Sequence, residues 1–214
     1  MVIKLFGHPL STCTKQVATV FHEKKVPFEF YAVDFAKAEH KSPEHKAKQP
    51  FGQIPYIDDE GFILYESRAI CRYLEDKYPN QGTKLIPSDI RQRALFEQGA
   101  SIETSNFDAK ALPLVSETVF KAFHGQTPDP VKVEELKTAL AAKLDVYDEI
   151  LSKQKYIAGD NVTLADLFHL PFGSLLAPAG INLIQERPHV ARWFNELQNR
   201  PSWQTIKDGV KSSA

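Results

Sequence analysis

Ser11-Thr12, His40-Lys41, Gln53-Ile54-Pro55 and Glu66-Ser67 are the residues whose types and spacing could do chemistry together. Singly, each has a plain reading. Ser11 is placed to cap a following helix, His40 and Lys41 read as solvated charge in a polar loop, Pro55 as an edge-strand breaker, and Glu66-Ser67 as an ordinary helix start. Jointly they are handles for a peptide-like anion. Backbone N–H groups at the Ser67 helix start suit a carboxylate, and Glu66 can take an ammonium. The backbone of Ile54, turned outward if Pro55 is cis, can pair with an extended peptide as an added strand. His40, Lys41 and Gln53 can hold a second carboxylate. A tripeptide with a carboxylate at each end and a thiol in the middle would fit.

The elements that must position these residues fall into two halves. In the first, Val2–Phe6 reads as a strand, followed by the turn residues Gly7, His8 and Pro9. The spacing of Val17, Val20 and Phe21 predicts a helix from Thr12 to Lys24. Phe28–Val33 reads as a second strand, and the βαβ order implies parallel pairing. Ile54–Ile57 and Phe62–Tyr65 flank the hairpin signal Asp58-Asp59-Glu60-Gly61, and a helix over Ser67–Tyr78 closes the half. The order β-α-β, loop, β-β-α builds one mixed four-stranded sheet with the candidate handles along one edge, where open α/β sheets bind ligands.

The turn-rich, apolar-poor stretch Pro79-Asn80-Gln81-Gly82-Thr83-Lys84 places a linker at 80–88, between a first domain over 1–79 and a second over 89–214. The second is read as helical throughout. Helices are predicted over Asp89–Ser105, continuing toward Phe123 with a kink or break at Pro113, and over Val131–Leu151, Leu164–Leu176 and His189–Asn199. Thr163-Leu164-Ala165-Asp166 fits a capping box, which contributes ~1 kcal/mol and assigns Thr163 and Asp166 to folding.

Bulk properties narrow the function classes. Of 214 residues, 43% are hydrophobic and 25% charged, and the formal net charge of −1 argues against a nucleic-acid partner. Cys13 and Cys71 give no disulfide framework, so a reducing, cytoplasmic compartment is expected. The N-terminus lacks a signal-peptide core, and the apolar run Phe168–Ile184 is interrupted by His169, Pro171, Pro178 and Asn182. No membrane span and no metal are expected.

At this level of detail the chain resembles the soluble glutathione transferases, most closely the phi-like class of plants and fungi. The matching pieces are Gly7-His8-Pro9-Leu10-Ser11-Thr12, Glu39-His40-Lys41-Ser42-Pro43, Gln49-Pro50-Phe51-Gly52-Gln53-Ile54-Pro55 and Tyr65-Glu66-Ser67-Arg68-Ala69-Ile70. In the second half, Ala158-Gly159-Asp160-Asn161 and Thr163-Leu164-Ala165-Asp166-Leu167 also match. The resemblance implies a thioredoxin-like α/β N-terminal domain, an all-α C-terminal domain and a homodimer. It makes Ser11 the hydrogen-bond donor to the glutathione sulfur, with Thr12 as a neighbouring helper. It gives the glycyl carboxylate to His40, Lys41 and Gln53, the cysteinyl backbone to Ile54 beside a cis Pro55, and the γ-glutamyl end to Glu66 and Ser67. Lys15-Gln16 stands where many relatives show an arginine, so the local salt bridge of those relatives is not expected here.

The chemistry is consistent with these roles. An unperturbed thiol has a pKa of about 8.5, and each unit of depression requires about 1.4 kcal/mol of preferential anion stabilisation. A hydroxyl hydrogen bond to an ion supplies roughly 1.5–3 kcal/mol and a helix N-terminus up to ~1 kcal/mol. Together these lower the pKa by about two units. Ser11 therefore needs no partner base, and no GxSxG elbow surrounds it, so a serine hydrolase is not indicated. Cys13 follows two residues later on another face of the helix and reads, like Cys71, as a packed residue. An apolar electrophile site is expected from Leu10, Phe35, Phe107, Leu114, Phe120, Phe123 and Phe172, each of which is equally readable as core. Phe51 is a candidate dimer anchor. Glutathione-dependent peroxide reduction, a non-catalytic carrier of hydrophobic ligands, a Cys13-dependent thiol transferase and an interaction module like those inside longer translation factors are the competing readings.

Overall fold

A computed structural model describes residues 2–214. The chain divides into two compact units, one running to Leu85 and taking in Arg200–Ala214, the other covering Ile86–Asn199.

The first unit is built on a mixed sheet of β1 (Ile3–Gly7), β2 (Phe28–Ala32), β3 (Tyr56–Asp59) and β4 (Phe62–Tyr65), in the order β2-β1-β3-β4. β1 and β2 run parallel across the crossover helix α1 (Thr12–Glu23), whereas β3 is antiparallel to both β1 and β4. Alternation in β1 buries Ile3, Leu5 and Gly7, and the helical stripe of α1 buries Val17, Val20 and Phe21. The β3–β4 connection is a two-residue turn in which Glu60 and Gly61 both have positive φ (57° and 92°), as a hairpin of this length requires. A third helix, labelled α3 below (Ser67–Lys77), packs on α1 through Ile70 and Leu74.

Two details differ from the sequence reading. β3 begins at Tyr56, two residues later than expected, because Pro55 has no N–H to give the ladder. The expected polar loop contains a 3₁₀ turn at Glu39–Lys41 and a short helix, α2 (Pro43–Lys48), capped by Ser42 Oγ on His45 N at 3.1 Å.

The helical unit opens with α4 (Ile90–Ile102), which runs on through π turns at Glu103–Asp108 and Ser116–Phe120 that bracket α5 (Ala109–Val115), and ends with α6 (Lys121–Phe123). Pro113 lies inside α5 and does not break the run. The wide turns on either side absorb the disturbance from a residue that cannot donate. α7 (Pro130–Lys153) buries Leu140, Leu144, Tyr147 and Leu151.

Where one helix was expected over Leu164–Leu176, the structure has α8 (Leu164–Leu167) and α9 (Leu170–Leu176). Pro171 cannot donate to the Leu167 carbonyl. Between the two, His169 N bonds the Asp166 carbonyl at 3.1 Å, and His169 Nδ1 lies 2.8 Å from the Ala165 carbonyl. α10 (Pro188–Gln198) completes the unit. The Thr163–Asp166 capping box forms. Asp166 Oδ2 accepts from Thr163 N (2.8 Å) and Oγ1 (2.9 Å), and Oδ1 accepts from Ile157 N and Trp193 Nε1, both at 2.9 Å. Four donors satisfy this fully buried carboxylate, which ties α8 to α10 and the preceding loop.

The residues after Asn199, expected in the helical domain, belong to the first unit. α11 (Pro201–Ile206) buries Trp203 and Ile206 against α1. Arg200 grips Glu23 with Nε on Oε1 at 2.6 Å and Nη2 on Oε2 at 2.8 Å, and Ser202 Oγ adds a bond at 2.5 Å. Lys24, wholly buried, pairs with Glu75 at 2.7 Å and donates to the Thr83 carbonyl at 3.0 Å. Leu85 N donates to Glu75 Oε1 at 3.1 Å, so the stretch read as a linker is held to the first unit as far as Leu85.

Candidate functional site

The sheet register brings the handles to one edge. Phe6 pairs with Tyr31 on one side and Tyr56 on the other, and Tyr56 pairs with Tyr65. Phe6 stacks on Tyr31 and Tyr56 at ring separations of 4.9 and 4.5 Å. Just past this one row lie the turn after β1 that carries Ser11, the Ile54-Pro55 pair before β3, and Glu66-Ser67 after β4. With strands ~4.8 Å apart, the three pieces share an edge of about 10 Å.

Ser11 closes the turn His8-Pro9-Leu10-Ser11, its N–H bonding the His8 carbonyl at 3.0 Å. Its extended backbone (φ −63°, ψ 131°) makes it the N-cap of α1, and Oγ accepts from Thr14 N at 3.3 Å. The cap reading and the catalytic reading are thus compatible. Accepting from the helix amide occupies a lone pair and polarises the hydroxyl, which leaves its proton for another acceptor. Thr12, the first helical residue, has an N–H with no intrahelical acceptor. Gly7 makes this junction possible, since a Cβ there would lie 2.4 Å from Thr14 Oγ1.

The second handle is a braced loop. Lys41 Nζ donates to the Gly52 carbonyl at 2.7 Å, His45 Nε2 lies 2.7 Å from the Gln53 carbonyl, and Gln53 N donates to Gln49 Oε1 at 3.0 Å. Lys41 and Gln53 keep their side chains exposed. His40 is half-buried with Nδ1 unpartnered, and its ring meets Phe35 edge-on at 4.4 Å. Burial, with the charge of Lys41 and the nearby His45, holds its pKa below the ordinary histidine value. At neutral pH His40 is therefore an uncharged donor or acceptor, and Lys41 carries the positive charge.

The Ile54–Pro55 peptide is cis, and Ile54 precedes the ladder that starts at Tyr56. Glu66 has φ 70° and ψ 108°, outside the ordinary wells for a residue with a side chain, an arrangement that costs about 1–3 kcal/mol. Such strain at the start of α3 presents the Glu66 carboxylate and the buried Ser67 at the edge row. Ser67 Oγ donates to Gln16 Oε1 at 3.4 Å, and Gln16 Nε2 is buried without a partner.

The sequence gives no role to Gln16, His45, Gln49 or Gly52. The Ser42-Pro43 start signal would have found the helix carrying His45. Cys71 is fully buried, and burial pushes its thiol far above the ordinary range, whereas Cys13 is half-buried on the first turn of α1.

The apolar candidates divide. Leu10 and Phe35 are exposed on the first unit, with Phe35 stacked over His8 at 5.3 Å. In the helical unit Phe123 is exposed, Phe120 half-buried and Phe172 buried. Phe107 and Leu114 are shut in the core, Phe107 against His169 at 4.7 Å, so neither forms an accessible wall. Among the described residues no cluster of three or more His, Cys, Asp or Glu could hold a metal ion, and no helix is long and apolar enough to cross a membrane.

The chain matches known proteins in family and in fold. Residues 1–76 match the family described as glutathione S-transferase, N-terminal domain, and residues 107–201 match glutathione S-transferase, C-terminal domain. The chain is 41% identical to glutathione S-transferase F12 of Arabidopsis thaliana over 208 residues, 96% of this chain and 97% of that protein. The fold superposes on glutathione transferase F7 from Populus trichocarpa with a TM-score of 0.93 at 37% identity, covering 97% and 98% of the two chains. It also matches maize glutathione S-transferase I in complex with an atrazine–glutathione conjugate (TM-score 0.89, 33% identity, 97% of each chain).

Proposed function

Because the chain belongs to the glutathione S-transferase family, with phi-class relatives, we propose that it conjugates glutathione to hydrophobic electrophiles with Ser11 as the donor that stabilises the thiolate. The observation that carries this reading is the Ser11 hydroxyl itself. Its oxygen is engaged by Thr14 N at the positive end of α1, and its proton is left to give to an acceptor at the edge row.

In this reading the γ-glutamyl ammonium meets Glu66 and its carboxylate meets the α3 start at Ser67. The cysteinyl backbone pairs with Ile54, and the glycyl carboxylate is met by His40, Lys41 and Gln53. These contacts bring the sulfur to Ser11. The thiol proton leaves to solvent, and the Ser11 hydroxyl and the α1 amides hold the resulting anion. The thiolate then attacks the electrophilic carbon, forming the C–S bond as the leaving group departs with the bonding pair. Exposed Leu10 and Phe35 give the first unit an apolar border on which an electrophile can rest.

The test is a pair of variants. Ser11→Ala is expected to raise the pKa of bound glutathione by one to two units and to lower kcat/KM near neutral pH by roughly 10–100-fold, the loss of one charge-assisted hydrogen bond. Cys13→Ser is expected to retain most activity. The reverse pattern would transfer the chemistry to Cys13 and a thiol-transferase reaction. Glutathione binding with an unshifted thiol in the unmodified protein would favour a carrier.

A further inference from the structure

The last residues of the chain are bonded to the turn that presents Ser11. After α11, Gly209 takes φ +148° beside Pro9, and Val210, its side chain buried, donates its N–H to the Pro9 carbonyl at 3.1 Å. On the other side of Ser11, Lys15 Nζ donates to the Lys207 carbonyl at 2.7 Å. Farther along, Ser212 Oγ accepts from Phe30 N at 2.8 Å and Ser213 Oγ from Phe28 N at 3.2 Å. The N–H groups of Ser213 and Ala214 in turn reach the Phe28 carbonyl at 3.0 and 3.2 Å. β2 is an edge strand, so the tail also covers backbone groups that the sheet leaves outward.

The two ties act on one rigid plane and one helix. The Pro9 carbonyl and the Leu10 N–H belong to the same planar peptide. The carbonyl is held by Val210, and the N–H donates to His8 Nδ1 at 3.3 Å. With both ends of that plane pinned, the direction in which the chain enters Ser11 is set. Lys15, whose N–H bonds the Ser11 carbonyl at 2.9 Å, fixes the exit. A hydrogen-bond donor to a developing anion loses most of its value when displaced by about 1 Å.

We propose that Lys207–Ala214 is a strap that positions the Ser11 hydroxyl, with Val210 and Lys15 as its positioning contacts. The proposal rests on the reading of Ser11 as the thiolate's donor. The strap touches the Ser11 turn and not the carboxylate handles, so it acts on thiolate stabilisation more than on glutathione affinity.

The experiment is a thermodynamic cycle between strap removal (a chain ending at Gly209 that also carries Lys15→Met, so that both the Val210 and the Lys207 ties are cut) and Ser11→Ala, read by ultraviolet difference titration of bound glutathione and by steady-state kinetics. Strap removal is expected to raise the thiol pKa by about one unit and to lower kcat about tenfold, with KM for glutathione changing by less than about threefold. In the Ser11→Ala background strap removal is expected to shift the pKa no further. A pKa and kcat unchanged by strap removal while Ser11→Ala shifts both overturns the strap and leaves Ser11's role standing. An undiminished shift in the Ser11→Ala background shows that the strap acts elsewhere and overturns it too. No shift in Ser11→Ala itself fails the underlying reading. If the shortened chain does not fold, Lys15→Met decides: it cuts the Lys207 tie within an intact tail and is expected to raise the thiol pKa by about half a unit, and an unshifted titration in that variant overturns the proposal.

Discussion

Phe51 sits in the turn between Gln49 and Gly52 with 66% of its surface exposed, its ring edge-on to Tyr65 at 6.3 Å. A large aromatic side chain held out on a braced turn carries a cost in water that a partner surface would recover, and the partner proposed is a second copy of this chain. Burying such a ring stabilises an interface by roughly 1.5–3 kcal/mol. Phe51→Ala is therefore expected to weaken self-association about 10–100-fold in sedimentation equilibrium, and an unchanged dimer would remove Phe51 as an anchor. The residue-level chemistry was partly legible in the sequence: Ser11 as cap, the Glu66-Ser67 helix start and the Thr163–Asp166 box each follow from short-range patterns. Gln16 and His45 were not, because what matters about them is a contact with Ser67 or with the Gln53 carbonyl, which no local spacing encodes.

At the scale of elements, the loop from Gln49 to Pro55 is where sequence and fold meet. Gly52 has φ +61°, and a Cβ there would lie 2.8 Å from the His40 carbonyl. Gly52→Ala is expected to push the 3₁₀ turn away, raising KM for glutathione about tenfold while kcat falls less, since Ser11 is on a different segment. Left-handed backbone costs an alanine about 1–2 kcal/mol, so melting should also drop by several degrees. An unchanged KM would show that His40 and Lys41 do not depend on this loop. Strand and helix order in the first unit could be read directly, because period-2 and period-3.6 patterns are local. Pro55, Pro113 and Pro171 were read less well: one delayed a strand, one was absorbed by π turns, and one split a helix.

At the scale of the whole molecule, the segment after Asn199 shows what periodicity cannot reach. The sequence includes it in the helical domain over 89–214, yet Arg200 and Ser202 answer a carboxylate at Glu23, far back in the chain. Burial alone would raise the Glu23 pKa, but the hydrogen bonds from Arg200, Ser202 and Thr83 outweigh it and hold the group below the ordinary range. A depressed carboxyl stabilises the fold above its unfolded pKa of about 4.3 and loses that contribution as the pH falls through its folded value. Glu23→Gln is expected to cost about 2 kcal/mol at pH 7, with the difference in melting temperature narrowing below about pH 4. A gap that stays constant on acidification would show that packing, not charge, holds the segment.

The position of Ala214, whose N–H is bonded into the Phe28 carbonyl, bears on how the protein can be handled. A fusion partner, affinity handle or surface tether joined after Ala214 departs from beside β2 and loads a segment bonded, a few residues earlier, to Pro9. The turn around Gly125 offers the alternative: His124, Gly125 and Gln126 are all exposed, and a handle joined through the Gln126 side chain leaves Gly125 in its left-handed conformation (φ +69°). Immobilisation through that turn leaves the segment before Ser11 mechanically undisturbed.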